Sequence, residues 1–160
     1  MPLSPLVRSA VFVSDLERSI AFYRHVIGLS EQLSEGDLPQ AEAAALIGVE
    51  HGAIIRYVIL KVPGPRVGMI GLFEITGPRP PTVERLSHGA HVGEVCLVFY
   101  TSDMDAVLGR LEAGGHLILC APVWLKVSAS HPARREMICA DPDGVKVNLI
   151  ERDPAEAWES

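Results

Sequence analysis

In "VRSAVFVS", Val7, Val11 and Val13 share one parity with Ser9, while Arg8, Ala10 and Phe12 share the other. That two-residue period predicts a strand. Ser14 or Asp15 then offers a side-chain oxygen to cap a helix. Leu16, Ile20, Tyr23 and Ile27 follow at three- and four-residue steps as one apolar stripe, and Gly28 supplies the stop. A second strand is expected over Leu29 to Ser34. "GDLPQAEAAALIGVEHG" has turn-like ends around an Ala-rich centre suited to a short helix. "AIIRYVILKV" and "VGMIGLFEI" are β-rich runs on either side of "PGPR", which predicts a hairpin.

The same order then returns. A strand is predicted from about Val92 to Tyr100, and a helix from Asp103 to Glu112 stopped by "GG". Strands follow at "HLILC", "REMICA" and "VKVNLIE", the last two joined by a tight turn at "DPDG". Asp15 of the first copy aligns with Asp103 of the second. The stretch between the copies, "TGPRPPTVERLSHGAH", is dense in proline and reads as a linker. The organisation expected is a first βαβββ module over residues 1–75, a linker over 76–91 and a second βαβββ module over 92–160. An internal repeat of this kind decides the fold class, α+β. Each module has one helix to cover one face of a four-stranded sheet, so the two curved mixed sheets are expected to enclose a cleft.

Composition narrows the function classes. The chain has 160 residues, 48% of them apolar, enough for a real core. The net charge of −6 comes without a basic run, which argues against nucleic acid as a partner. No apolar stretch reaches the ~18 residues of a membrane helix. "MPLSPLVRSA" has two prolines and no apolar core, so a secretory signal is not expected. Cys96, Cys120 and Cys139 show no CxxC spacing, and reduced thiols in a cytoplasmic protein are the expectation.

"VFVSDLERSIAFYRHVIGL", "DMDAVLGRLEAGG" and "REMICADPDGVKVNLIE" together resemble the vicinal oxygen chelate superfamily. This superfamily includes glyoxalase I, extradiol dioxygenases, fosfomycin-resistance proteins and bleomycin-binding proteins. The resemblance covers nearly the whole chain and implies a small-molecule ligand and a homodimer. Its metalloenzymes carry His, Glu or Gln ligands on the first and last strands of each half. Carried over position by position, these sites fall on Arg8, Glu74, Cys96 and Asn148. Only Glu74 suits a metal: a guanidinium has only donors, and one thiolate, one carboxylate and one amide are not a usual zinc set. No cofactor is therefore expected, with a divalent metal as the alternative.

The candidate site residues follow from this departure. Arg8 is expected to anchor an anionic or oxygen-rich ligand, with Glu74 as its partner across the cleft and as the catalytic candidate, and Asn148 orienting the ligand. The competing reading makes Arg8 and Glu74 a structural bridge between sheets. Arg56 and Tyr57 face opposite ways on one strand, so one of them lines the cleft; Arg56 joins the ligand-binding set. Trp124 is placed in a loop as an aromatic wall, and Cys96 is a ligand contact or a core cysteine. His88 and His91 are expected in a solvated loop. A two-residue slip would bring Glu94 to the place of Cys96. Function then divides between a metal-independent binding protein and an enzyme, a lyase, isomerase or dioxygenase, working through Glu74 with a metal or as acid and base.

Overall fold

The computed structural model describes residues 3–50, 52–84 and 89–157. His88 therefore lies outside the described residues. The chain divides into two compact units, Met1–Val83 and Glu84–Ser160. The division falls inside the proline-dense stretch.

The first unit runs β1 (Arg8–Val13), α1 (Leu16–Ala21), a π-helical continuation of α1 (Phe22–Ile27), β2 (Glu31–Asp37), α2 (Gln40–Ile47), β3 (Ile54–Lys61) and β4 (Met69–Thr76). Its sheet has the order β1-β4-β3-β2, with β1 parallel to β4 and the other neighbours antiparallel. The second unit repeats the plan with β5 (Cys96–Thr101), α3 (Met104–Ala113), β6 (Ile118–Leu125), β7 (Arg134–Ala140) and β8 (Lys146–Glu151), in the order β5-β8-β7-β6. This is the α+β, two-module βαβββ architecture that the sequence repeat predicts.

α1 and α3 start in the same way. The Asp15 carboxylate accepts from the Arg18 N–H at 2.9 Å, and the Asp103 carboxylate accepts from the Ala106 N–H at 2.9 Å. Each satisfies a donor that a helix start would leave unpaired. α1 then widens. The N–H groups of Gly28 and Leu29 both reach the Tyr23 carbonyl, and Gly28 closes the segment in the left-handed conformation. The extra residue in the turn shifts the apolar stripe beyond Phe22. Leu16, Ser19, Phe22, Tyr23 and Val26 are buried, whereas Ile20 and Ile27 are only half-buried.

Strand pairing sets two faces on each sheet. In the first, Val11, Leu72 and Val58 stand side by side, all buried, on the face that α1 covers. Burying one such side chain is worth roughly 1.5–3 kcal/mol, so this face is strongly specified. The far face carries Phe73, Ile75, Ile55 and Tyr57, and α2 packs over part of it through Ala43 and Ile47. In the second sheet Leu97, Val147, Cys139 and Leu149 are buried on the α3 side, together with Met104, Val107 and Leu111 of α3.

Two strand boundaries differ from expectation. β5 begins at Cys96, not Val92, because Gly93 takes a left-handed turn and the Glu94 N–H bonds back to the His91 carbonyl at 3.0 Å. β6 extends from Ile118 through Pro122 to Leu125, so Trp124 lies on a strand and not in a loop. The proline is tolerated because β6 is a sheet edge with irregular register on either side. The "DPDG" turn forms as expected. The buried Asp141 carboxylate accepts from the N–H groups of Asp143 and Val145 at 2.9 and 2.7 Å.

Candidate functional site

Register places Glu74 beside Val13 on one neighbour and Arg56 on the other. All three therefore share the α1 face. The Arg56 guanidinium lies 3.3 Å from Glu74 Oε2 and 3.0 Å from Glu17 Oε1 in the first turn of α1. The Glu17 hydrogen bond is the main cause that holds the Arg56 pKa above its ordinary value. Arg8 opens β1 opposite Met69, five positions along β4 from Glu74 and on the other face of the sheet. The expected Arg8–Glu74 pair does not form. The sequence supplied two charged residues on adjacent strands but not their register, and register decides which face each takes.

The far face of the first sheet holds Arg8, Ala10 and Phe12 of β1 beside Met69, Gly71 and Phe73 of β4. Phe12, Phe73 and Tyr57 form an aromatic row, with ring centroids 5.9 and 6.1 Å apart. Gly71 lies beneath it. A Cβ there would come within 2.9 Å of the Phe73 ring and 3.5 Å of Arg8 Cδ. The missing side chain at Gly71 lets the Arg8 stem and the Phe73 ring close over bare backbone. Arg8 and Phe12 are both exposed. Of the Arg56 and Tyr57 alternatives, Tyr57 takes this face. Phe12 and Phe73 were missed from sequence; their shared parity with Arg8 across β1 and β4 was the available signal.

In the second sheet the far face carries Cys96 and Val98 of β5, Lys146 and Asn148 of β8, and Glu136 and Ile138 of β7. Asn148 Nδ2 donates to Glu136 Oε2 at 3.3 Å. Its Oδ1 is buried and meets no donor among the described residues. The carboxylate fixes the amide with nitrogen toward it, so the oxygen must point to the unpaired side. Partial burial is the main cause that raises the Cys96 thiol, which disfavours the thiolate. Glu94 stands outside β5, and its carboxylate lies 2.7 Å from the Lys146 ammonium. The Lys146 hydrogen bond is the main cause that keeps that carboxyl below its usual range. Lys146 also donates to the Gly89 carbonyl. Trp124 pairs with Arg135 on the α3 face, the opposite side from Asn148 and Glu136.

The family model of the Glyoxalase/Bleomycin resistance protein/Dioxygenase superfamily matches residues 6–149. The chain belongs to this superfamily. A glyoxalase family protein from Bacillus cereus has a similar fold, with a TM-score of 0.70 at 15% identity, over 94% of this chain and 97% of that one. A glyoxalase I variant from Zea mays gives a TM-score of 0.67 at 18% identity, and this chain spans 92% of its own length but only 44% of that chain. Glyoxalase I from Leishmania major, described as trypanothione-dependent, gives 0.63 at 17% identity, over 98% of this chain and 94% of that one. At these identities the likeness is one of fold. No curated protein is similar enough in sequence to count as a relative.

Superfamily membership raises the question of a metal, and the register gives the side chains that stand at the equivalent positions. Asn148 pairs with Val98, and the matching pair in the first module is Gly71 with Ala10. The first-module counterpart of Asn148 is thus Gly71, and Glu74 corresponds instead to Glu151. The ligand positions expected from sequence are Arg8, Glu74, Cys96 and Asn148; the register puts Gly71 in the place of Glu74, so the four equivalent positions carry Arg8, Gly71, Cys96 and Asn148. A cation, a bare backbone, a protonated thiol and an amide do not fit a divalent ion. Among the described residues no group of three or more His, Cys, Asp or Glu is arranged to hold one. No helix among them is long and apolar enough to cross a membrane.

Proposed function

We propose that this superfamily member binds a small anionic or oxygen-rich molecule on the far face of its first sheet, without a metal. One observation carries the reading. Arg8 is a fixed cation laid over Gly71 beside the Phe12–Phe73–Tyr57 row, with no acidic partner among the described residues. A guanidinium beside an aromatic row whose outer ring, Phe12, is exposed supplies a charged anchor and an apolar wall, which is the usual make-up of a ligand pocket. Asn148 and Cys96 remain candidate ligand contacts on the far face of the second sheet. A homodimer, on the family resemblance, and a cytoplasmic location, on the three cysteines without framework spacing, belong to the same reading.

An enzyme working through Glu74 has less support. That carboxylate is engaged by Arg56 on the helix-covered face. The test is a calorimetric screen of carboxylates, phosphates and phenols against the wild-type protein, Arg8→Ala and Glu74→Gln. The expected result is a ligand whose affinity falls about tenfold or more in Arg8→Ala and is unchanged in Glu74→Gln. Loss of binding in Glu74→Gln with retention in Arg8→Ala sinks the proposal, as does stoichiometric metal in protein purified without chelators.

A further inference from the structure

On the α1 face of the first unit, away from Arg8, a cleft of about 380 Å³ runs between α1 with its π-helical continuation and the edge strand β2. Its two ends differ in charge. At one end Arg24 holds only a neutral partner, Gln32 Oε1, at 2.8 Å. The Arg24 Nε–H is buried and meets no acceptor among the described residues. At the other end Asp37 pairs in register with Arg56, whose charge is already shared by Glu17 and Glu74. Glu35 sits between, on the same face of β2 as Asp37. Half-buried Ile20 and buried Leu16 make an apolar floor between the ends.

Seven residues of helix from Glu17 to Arg24 correspond to about 10 Å along the axis. The cleft therefore offers a guanidinium with only a neutral partner at one end, surplus carboxylate further along and an apolar stretch between them. A lone anion would meet Glu35 and Asp37, and a lone cation would meet Arg24. An occupant with both charges, held apart by a methylene stem, matches the two ends and the floor together.

We propose that this cleft is a binding site for a small zwitterion with separated charges, an ω-amino acid or a dipeptide. The carboxylate docks on Arg24, and the ammonium lies toward Glu35 and Asp37. The site is independent of the Arg8 face, so either can fail without the other.

The experiment is a titration of the full chain with a series of linear ω-amino acids of increasing length, beside the matching alkylamines and alkyl carboxylates. The expected result is an affinity optimum at one chain length that neither single-charge series reproduces. Arg24→Gln and Glu35→Gln should each weaken binding by about tenfold or more, while Arg8→Ala leaves it unchanged. Urea titrations of both variants show whether they stay folded, and Glu35→Gln, at an exposed strand position, tests the site should Arg24→Gln unfold. No binding by any member of the series overturns the proposal. So does binding that is indifferent to length, or that survives in both variants.

Discussion

Arg56 and Arg135 occupy the same place in the two modules. Each starts on the third strand of its sheet and reaches the acidic residue at the second position of the covering helix, Glu17 or Asp105. Each also meets a glutamate on the neighbouring strand, Glu74 or Glu151. The distances are 3.0 and 3.3 Å in the first module and 2.6 and 3.5 Å in the second. A carboxylate near a helix start also suits the positive end of the helix dipole. The repetition favours a device that pins each helix to its own sheet, and Glu74 belongs to one copy of it. Arg56→Ala and Arg135→Ala should both lower stability in urea denaturation, by less in high salt. Arg135→Ala should lower it more, because the Arg135 side chain is 23% exposed and that of Arg56 is 47% exposed. No loss in either variant would refute the pinning role, and equal losses would refute the ranking by exposure.

Gly71→Ala should destabilise the protein by about 1–3 kcal/mol, the usual cost of forcing a methyl into a packed site. The added methyl meets the Phe73 ring at 2.9 Å. Its backbone is not in the left-handed region, so the cost is steric. Gly71→Ala combined with Phe73→Leu should recover most of the loss in the same denaturation assay. No recovery in the double variant would place the strain elsewhere.

The fold was legible because its signals are local and occur twice. Asp15 and Asp103 cap their helices, Gly28 stops the first, and "DPDG" turns the last hairpin; each does so through neighbours a few residues away. The site was less legible because it depends on pairing between strands far apart in sequence. Glu74 follows two apolar residues in "GLFEI", and nothing local reveals that Arg56 and Val13 are its lateral neighbours. A slip of one residue reverses the face. The π-helical turn after Ala21 was equally hidden, since no residue type marks it, and beyond it Val26 is buried while Ile27 is only half-buried. Trp124 stands in a polar stretch that reads as loop, but β6 continues across Pro122 to Leu125, as an edge strand allows.

Acid should weaken the second module through Glu94. Its carboxyl is held below its ordinary value of 4.5 by the hydrogen bond from Lys146. The unfolded chain therefore takes up this proton first as pH falls. The contribution to stability is full above pH 4.5 and is lost as pH drops through the lower folded value. Glu94→Gln should lower stability at neutral pH and flatten its acid limb, measured by denaturant midpoints from pH 7 to pH 3. An acid limb as steep as that of the wild type would exclude Glu94 as the titrating group.

Thiol accessibility should separate Cys139 from Cys96. Cys139 is buried, and desolvation pushes its thiol up to about 12, so it should label only on unfolding. Cys96 is exposed, yet partial burial of its thiol raises the pKa, so native labelling at pH 8 should be slower than for an unhindered thiol. Mass spectrometry after timed alkylation reads both. Rapid native modification of Cys139 would contradict the packing of the α3 face.

Asn148 offers a way to tell a ligand contact from a structural residue. Its Oδ1 is buried without a donor among the described residues, a state that costs about 1–3 kcal/mol in a folded chain. Replacement by an apolar residue of similar size removes that cost but also gives up the 3.3 Å hydrogen bond to Glu136. Glu136 is half-buried and so keeps some hydration after the change. Asn148→Leu should therefore leave stability unchanged or raise it. If the orphan oxygen awaits a ligand donor, affinity for that ligand falls at the same time. Stability and binding then move in opposite directions, as they do where a polar group is kept for function. A fall in stability with unchanged affinity would make Asn148 a structural partner of Glu136 and remove it from the binding surface.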